Sequence, residues 1–234
     1  MTDETKQLSL NIEQPQTDNG PVVCLGMTFK NDDERREYFR NELRKKLPEL
    51  KKIEGFPIGD DEDIIALSDP PYYTACPNPW INDFIEEWEK EKVTKYGRDP
   101  NEEYHREPFT NDIKEGKNDP VYNAHNYHTK VPYKAIARYI LHYTSPGDIV
   151  LDGLSGTGMT GVAGRRVGYH EILNSLSLGT EENNENKKVG HRNSVLVDIS
   201  TSASLISHIY NSMPINRVEF INEAKKILKN VKEE

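Results

Sequence analysis

The residues best suited to chemistry are Asp69-Pro70-Pro71-Tyr72, which follow a short apolar run, Ile64-Ile65-Ala66-Leu67, and Ser68. Prolines cannot donate to a ladder, so a carboxylate beside a proline carbonyl forms two acceptors that no helix or sheet consumes. Two convergent acceptors suit an amino group with two hydrogens, such as the exocyclic amine of adenine or cytosine. A tyrosine alongside offers a face on which an unstacked base can rest. The apolar run, bounded by turn chemistry, predicts a buried strand. Asp69 and Tyr72 then sit at its carboxyl end, where open α/β sheets bind ligands. A proline turn after a strand is often no more than a turn, so its weight depends on what else the chain carries.

A second group of residues answers this. Asp148-Ile149-Val150-Leu151-Asp152 predicts a buried strand, and Gly153-Leu154-Ser155-Gly156-Thr157-Gly158 a glycine-rich turn. A helix of small residues follows from Met159 to about Val167, and Ser194 to Asp198 predicts another strand ending in an acid. Strand, glycine turn, helix and acid-terminated strand make a nucleotide-binding unit. The glycines let backbone approach the ligand, and the closing acid, Asp198, can hold ribose hydroxyls. A polar insert, residues 174–193, places Asp198 further from the glycines than is usual.

The block from His128-Thr129-Lys130-Val131-Pro132 through Pro146-Gly147-Asp148 to the glycine turn resembles one contiguous segment of the permuted (beta-type) DNA amino-methyltransferases. In that family an Asp-Pro-Pro-Tyr turn precedes the block, as it does here. The resemblance covers roughly residues 60–80 and 120–200. It implies S-adenosyl-L-methionine as cofactor and adenine, less readily cytosine, as the DNA target. It also implies roles: Asp69 and the Pro70 carbonyl orient the amine, with Pro71 stiffening the turn, and Tyr72 stacks on the base. Asp152, Gly153, Ser155, Gly156 and Gly158 line the cofactor pocket, Asp198 holds the ribose, and Thr129 and Lys130 close over the methionine end. The family has Pro and Phe after the first acid and Thr after the last glycine, where this chain has Gly153, Leu154 and Met159. A role in restriction-modification or phage defence follows from the resemblance alone.

The elements that must position these groups are predicted as follows. Residues 1–20 read as a disordered tail and Val22 to Gly26 as a short strand. A helix spans Asn31 to Leu47, capped by Asn31 or Asp32, with Tyr38, Phe39, Leu43 and Leu47 inward. Its other face, Arg35, Arg36, Arg40, Arg44, Lys45 and Lys46, reads as solvated, with phosphate contact as the sharper alternative. Further helices are expected over Ile81–Lys92, Lys134–Tyr143, from after Ile199 to Tyr210, and over Val218–Val231, with a long polar loop over residues 93–120. The expectation is therefore an α/β, Rossmann-like methyltransferase domain over residues 21–234, and an incomplete one. Three strands are identifiable, ending at Asp69, Asp152 and Asp198, against about seven in a full doubly wound sheet. A missing C-terminal region or a second chain would complete it.

Composition bounds the alternatives. The 234 residues are 29% charged and 35% hydrophobic, with a net charge of -9, which disfavours a large nucleic-acid surface within this chain. No apolar run reaches the roughly 20 residues of a membrane span. With no secretion signal and only Cys24 and Cys76, the chain reads as cytoplasmic, without a disulfide framework or metal site. Two other readings compete: a non-catalytic methyltransferase-like subunit needing a partner, and a nucleotide-dependent oxidoreductase. The latter leaves Asp69 to Tyr72 without a task.

Overall fold

The computed structural model describes residues 20–176, 189–212 and 217–233. The predicted tail lies outside them, as do residues 177–188 of the polar insert. A small hairpin, β1 (Val22–Cys24) and β2 (Met27–Phe29), opens the described chain. Helix α1 (Asp32–Leu50) follows. The Asn31 side chain accepts from Glu34 N at 2.9 Å, and Asp32, Asp33 and Glu34 place negative charge at the helix's positive end. Its buried residues are Arg35, Phe39, Leu43 and Leu47, a row at intervals of four.

The expected strand over Ile64–Leu67 is instead the helix α2 (Asp61–Leu67). Asp61, Glu62 and Asp63 fill its first turn and favour a helix start, and only Ile64 and Ile65 are buried while Leu67 is exposed. Four apolar residues do not separate a strand from a short helix. Ile64 and Ile65 join Cys24, Phe29, Phe39, Leu43, Leu47, Tyr73, Ala75 and Trp80 in one core cluster. Phe39 meets Trp80 edge-on, ring centroids 5.4 Å apart. Helix α3 (Ile81–Thr94) follows.

Residues 95–119 contain neither helix nor strand, as expected of the polar loop, yet they are tied down. Phe109 N donates to the Tyr143 hydroxyl at 2.8 Å, and Arg98 pairs with Asp148 at 3.1 Å. The short α4 (Pro120–Asn123) leads to α5 (Tyr133–Tyr143), β3 (Ile149–Asp152), α6 (Met159–Arg166), α7 (His170–Ser175) and β4 (Asn193–Leu196). Strands β3 and β4 pair in parallel, Ile149 opposite Asn193 and Asp152 opposite Leu196. A second core cluster joins α5, α6 and α7 through Ala137, Leu141, Ala163, Val167 and Ile172. Two of the three expected strands are thus present, in a two-stranded sheet whose Leu151 remains 72% exposed. A buried parallel sheet is covered on both faces. The described residues form a mixed assembly of helices and small sheets, consistent with an incomplete α/β methyltransferase fold. Helices α8 (Thr201–Asn211) and α9 (Arg217–Glu233) end it.

Candidate active site

The Asp69 turn is built from both sides. Asp69 and Tyr73 exchange backbone hydrogen bonds of 3.0 Å, closing the loop around a cis Pro70–Pro71 bond. Ser68, buried, donates its hydroxyl to Ile64 O at 2.7 Å and accepts from Ala75 N at 2.9 Å, fixing the turn to the end of α2. Asn78 donates to Pro71 O at 2.8 Å. Both prolines are buried, whereas Asp69 is partly accessible and Tyr72 half exposed.

Arg35, which is 1% exposed, reaches this turn from α1. Its Nη1 donates to Asp69 Oδ1 at 2.8 Å and to the Pro70 carbonyl at 2.6 Å. The two acceptors therefore converge on a single nitrogen. The opposite edge of the guanidinium donates to Asp32 Oδ1, from Nε at 3.0 Å and Nη2 at 2.7 Å. Arg36 Nε adds 3.1 Å to Asp69 Oδ1, and His208 Nε2 lies 3.7 Å from Asp69 Oδ2. Burial alone would raise the Asp69 carboxyl, but Arg35, Arg36 and His208 together hold it below the ordinary value. It is ionised at neutral pH and acts as an acceptor. Arg35 was expected on a solvated face. It belongs instead to the buried row of α1, and continuing the spacing Leu47, Leu43, Phe39 by four residues was the signal that could have found it.

Aromatic groups surround the pair. The Arg35 guanidinium lies 4.9 Å from the centroid of the Tyr72 ring. Tyr72 stacks on Phe84 at 5.7 Å, and Phe84 on Trp88 at 5.6 Å. Burial raises the Tyr72 hydroxyl above its ordinary value, with the Cys24 thiol as its hydrogen-bond partner, so the phenol stays protonated. Tyr73 stacks on His208 with centroids 4.7 Å apart and rings within 10° of parallel.

The glycine turn is organised through the backbone. Asp198 Oδ2 accepts from Gly156 N at 2.8 Å and Oδ1 from Ser200 N at 2.9 Å. Asp152 accepts from Leu154 N at 3.2 Å and from the Thr160 hydroxyl at 2.6 Å. Ser155 N donates to Val197 O at 2.9 Å, which ties the turn to the segment after β4. Gly156 and Gly158 have left-handed backbone, φ 52° and 80°, where a side chain would be strained. A Cβ at Gly156 would come within 3.0 Å of the Tyr127 ring. Thr157 is 2% exposed and its hydroxyl is a buried group without a hydrogen-bond partner. Carboxylate oxygens keep a second lone pair for a ligand hydroxyl. Together with the glycine cradle and the orphaned Thr157 hydroxyl, they make a donor and acceptor set that fits the nucleoside half of the expected cofactor.

The predicted site residues thus fall into two groups. Asp69, Pro70, Pro71 and Tyr72 form one, and Asp152, Gly153, Ser155, Gly156, Gly158 and Asp198 the other. Thr129 is exposed, and the buried Lys130 donates to the carbonyls of Tyr122 in α4 and His125 in the loop that follows it. Helix α8 touches both groups: His208 stacks at the turn, and Asn211 Nδ2 donates to Gly158 O at 3.0 Å. Neither His208 nor Arg35 was singled out as a site residue from sequence. Among the described residues there is no cluster of metal ligands, and no helix is long and apolar enough to cross a membrane.

No curated protein and no solved structure matches the chain. A family profile described as DNA methylase matches residues 3–192, a span that holds the Asp69 turn and the glycine turn and stops before Asp198. The chain belongs to the N6/N4 DNA amino-methyltransferase family.

Proposed function

We propose that this chain carries the catalytic turn and the cofactor unit of a DNA methyltransferase that acts on the exocyclic amine of adenine, less readily cytosine. The observation that carries this reading is the convergence of Asp69 Oδ1 and the Pro70 carbonyl on one planar NH2 group, 2.8 and 2.6 Å away. An adenine amine offers the same two hydrogens in the same plane. Holding both aims the nitrogen at an electrophile, and positioning of this kind supplies much of the barrier reduction. Asp69, kept ionised by its cationic neighbours, need not remove a proton before attack. Tyr72, half exposed and protonated, provides a stacking face for the extruded base.

S-adenosyl-L-methionine, when bound, supplies an activated methyl group. Asp198 would hold its ribose hydroxyls, Asp152, Ser155 and the Gly153, Gly156 and Gly158 backbone would line its pocket, and Thr129 and Lys130 would border the methionine end. A Rossmann-like sheet fits the parallel β3–β4 pair around α6. The β3–β4 pair is a two-stranded sheet, which favours its completion by further strands, from a second chain or a C-terminal region. A cytoplasmic location and a place in restriction-modification or phage defence accompany this reading.

The test is transfer of a labelled methyl group from S-adenosyl-L-methionine to unmethylated DNA, with Asp69→Ala as control. Transfer lost in the variant, with N6-methyladenine in the digested product, is the expected result. Undiminished transfer by Asp69→Ala would refute the assignment of the turn.

A further inference from the structure

We propose that Arg35 is a built-in occupant of the amine-binding acceptors, a plug that must swing away before a DNA base can enter. This rests on the reading of Asp69 and Pro70 as amine acceptors. The guanidinium Nη1 is a planar, sp2 NH2 group, as is the exocyclic amine of adenine, and it spends its hydrogens on the same two oxygens. The same side chain lies 4.9 Å over the Tyr72 ring. One residue therefore takes the two acceptors and also lies over the aromatic ring that a flipped base would use.

A purely structural arginine would leave broken charges on both sides if it moved, which is costly at a buried pair. Here both sides have a second partner. Asp69 keeps the Arg36 guanidinium at 3.1 Å, with the polar edge of the His208 ring 3.7 Å away. Arg35 keeps Asp32, which sits in the first turn of α1 with a side chain 43% exposed. The guanidinium is thus gripped at its outer edge by a carboxylate already at the surface, and what must let go is its inner nitrogen together with its contact to the Tyr72 ring. A side-chain swing about the Asp32 contact opens the site, and α1 need not unfold.

The decisive measurement is the affinity of the full chain for mixed-sequence, unmethylated duplex oligonucleotides, read by fluorescence anisotropy, for the native protein, Arg35→Met and Arg35→Lys. Removing a cation weakens binding to phosphates in general. Removing a plug has the opposite sign, because the apparent Kd is the intrinsic Kd divided by the fraction of open sites. Arg35→Met is expected to bind about tenfold more tightly, and Arg35→Lys, whose ammonium is not a planar NH2 group, to fall between. Equal or weaker binding by Arg35→Met with native circular dichroism overturns the plug. If Arg35→Met does not fold, Arg35→Lys decides by the same criterion. The gain must vanish in Arg35→Met combined with Asp69→Ala, and a gain that persists there also overturns the proposal. Methyl transfer by Asp69→Ala alone separates the two claims. Full transfer refutes the catalytic reading itself, whereas lost transfer without tighter binding in the Arg35 variants refutes only the plug.

Discussion

The Asp69 turn and the glycine turn both place carboxylates at the end of an element, but they satisfy them differently. Asp152 and Asp198 accept chiefly from backbone amides, those of Leu154, Gly156 and Ser200. Asp69 accepts from the side chains of Arg35 and Arg36. Backbone donors are fixed by the fold and cannot leave without unfolding the loop. Side-chain donors can rotate. The glycine turn is therefore a preformed cradle, and the Asp69 turn is a clasp that its own chain closes.

The contrast can be broken from the clasp side first. Asp69→Ala leaves the buried Arg35 guanidinium with Asp32 as its one remaining carboxylate, and loss of one partner of a buried pair costs about 3–5 kcal/mol. Urea unfolding should show a drop toward the lower end of that range, since Asp32 persists. From the cradle side, Gly158→Ala places a Cβ on Ser207 Oγ and 2.7 Å from Asn211 Nδ2, at a backbone φ of 80°. Left-handed strain and crowding together are expected to cost about 1–3 kcal/mol, read from the same unfolding curves. Gly153→Ala, which has open space around it and no positive φ, should shift them by under about 0.5 kcal/mol. That pair of glycines separates cradle geometry from mere glycine content.

A smaller effect sharpens the comparison through pH. Burial lowers the His208 pKa, more than the neighbouring Asp69 raises it, and Arg36 and Arg35 lower it further. A folded value below the unfolded one means that the unfolded chain takes up the proton first. The stability of the neutral ring is fully present above about pH 6.5 and is lost as pH falls through the folded value. The native chain should therefore unfold more readily at pH 5 than at pH 7, and His208→Phe, which keeps a ring against Tyr73, should flatten that slope. The Asp69 carboxyl, also depressed, adds a further loss only below about pH 4.

Much of the cradle was legible in the sequence because its signals are local. Glycines, small residues and an acid-terminated strand lie in one stretch, and β3, α6 and β4 appear where the pattern places them. The helices beginning near Asn31, Ile81, Lys134 and Val218 were equally readable from apolar spacing and caps. The clasp was not, because its defining contact spans 34 residues between Arg35 and Asp69. Ile64 to Leu67 misled for a related reason: four apolar residues carry no period, and the acids before them decided for helix α2.

Helix α8 gives the two regions a common lever. Ser207 faces Gly158 and His208, the next residue, faces Asp69 and Tyr73, so neighbouring positions on one rigid rod read the state of both turns. A shift of the glycine turn against this rod would be felt at His208, and a shift of the Asp69 turn at Ser207. By thermodynamic reciprocity the two effects are equal. Cofactor and target base would then raise or lower each other's affinity by one and the same factor, set by the stiffness of a single helix.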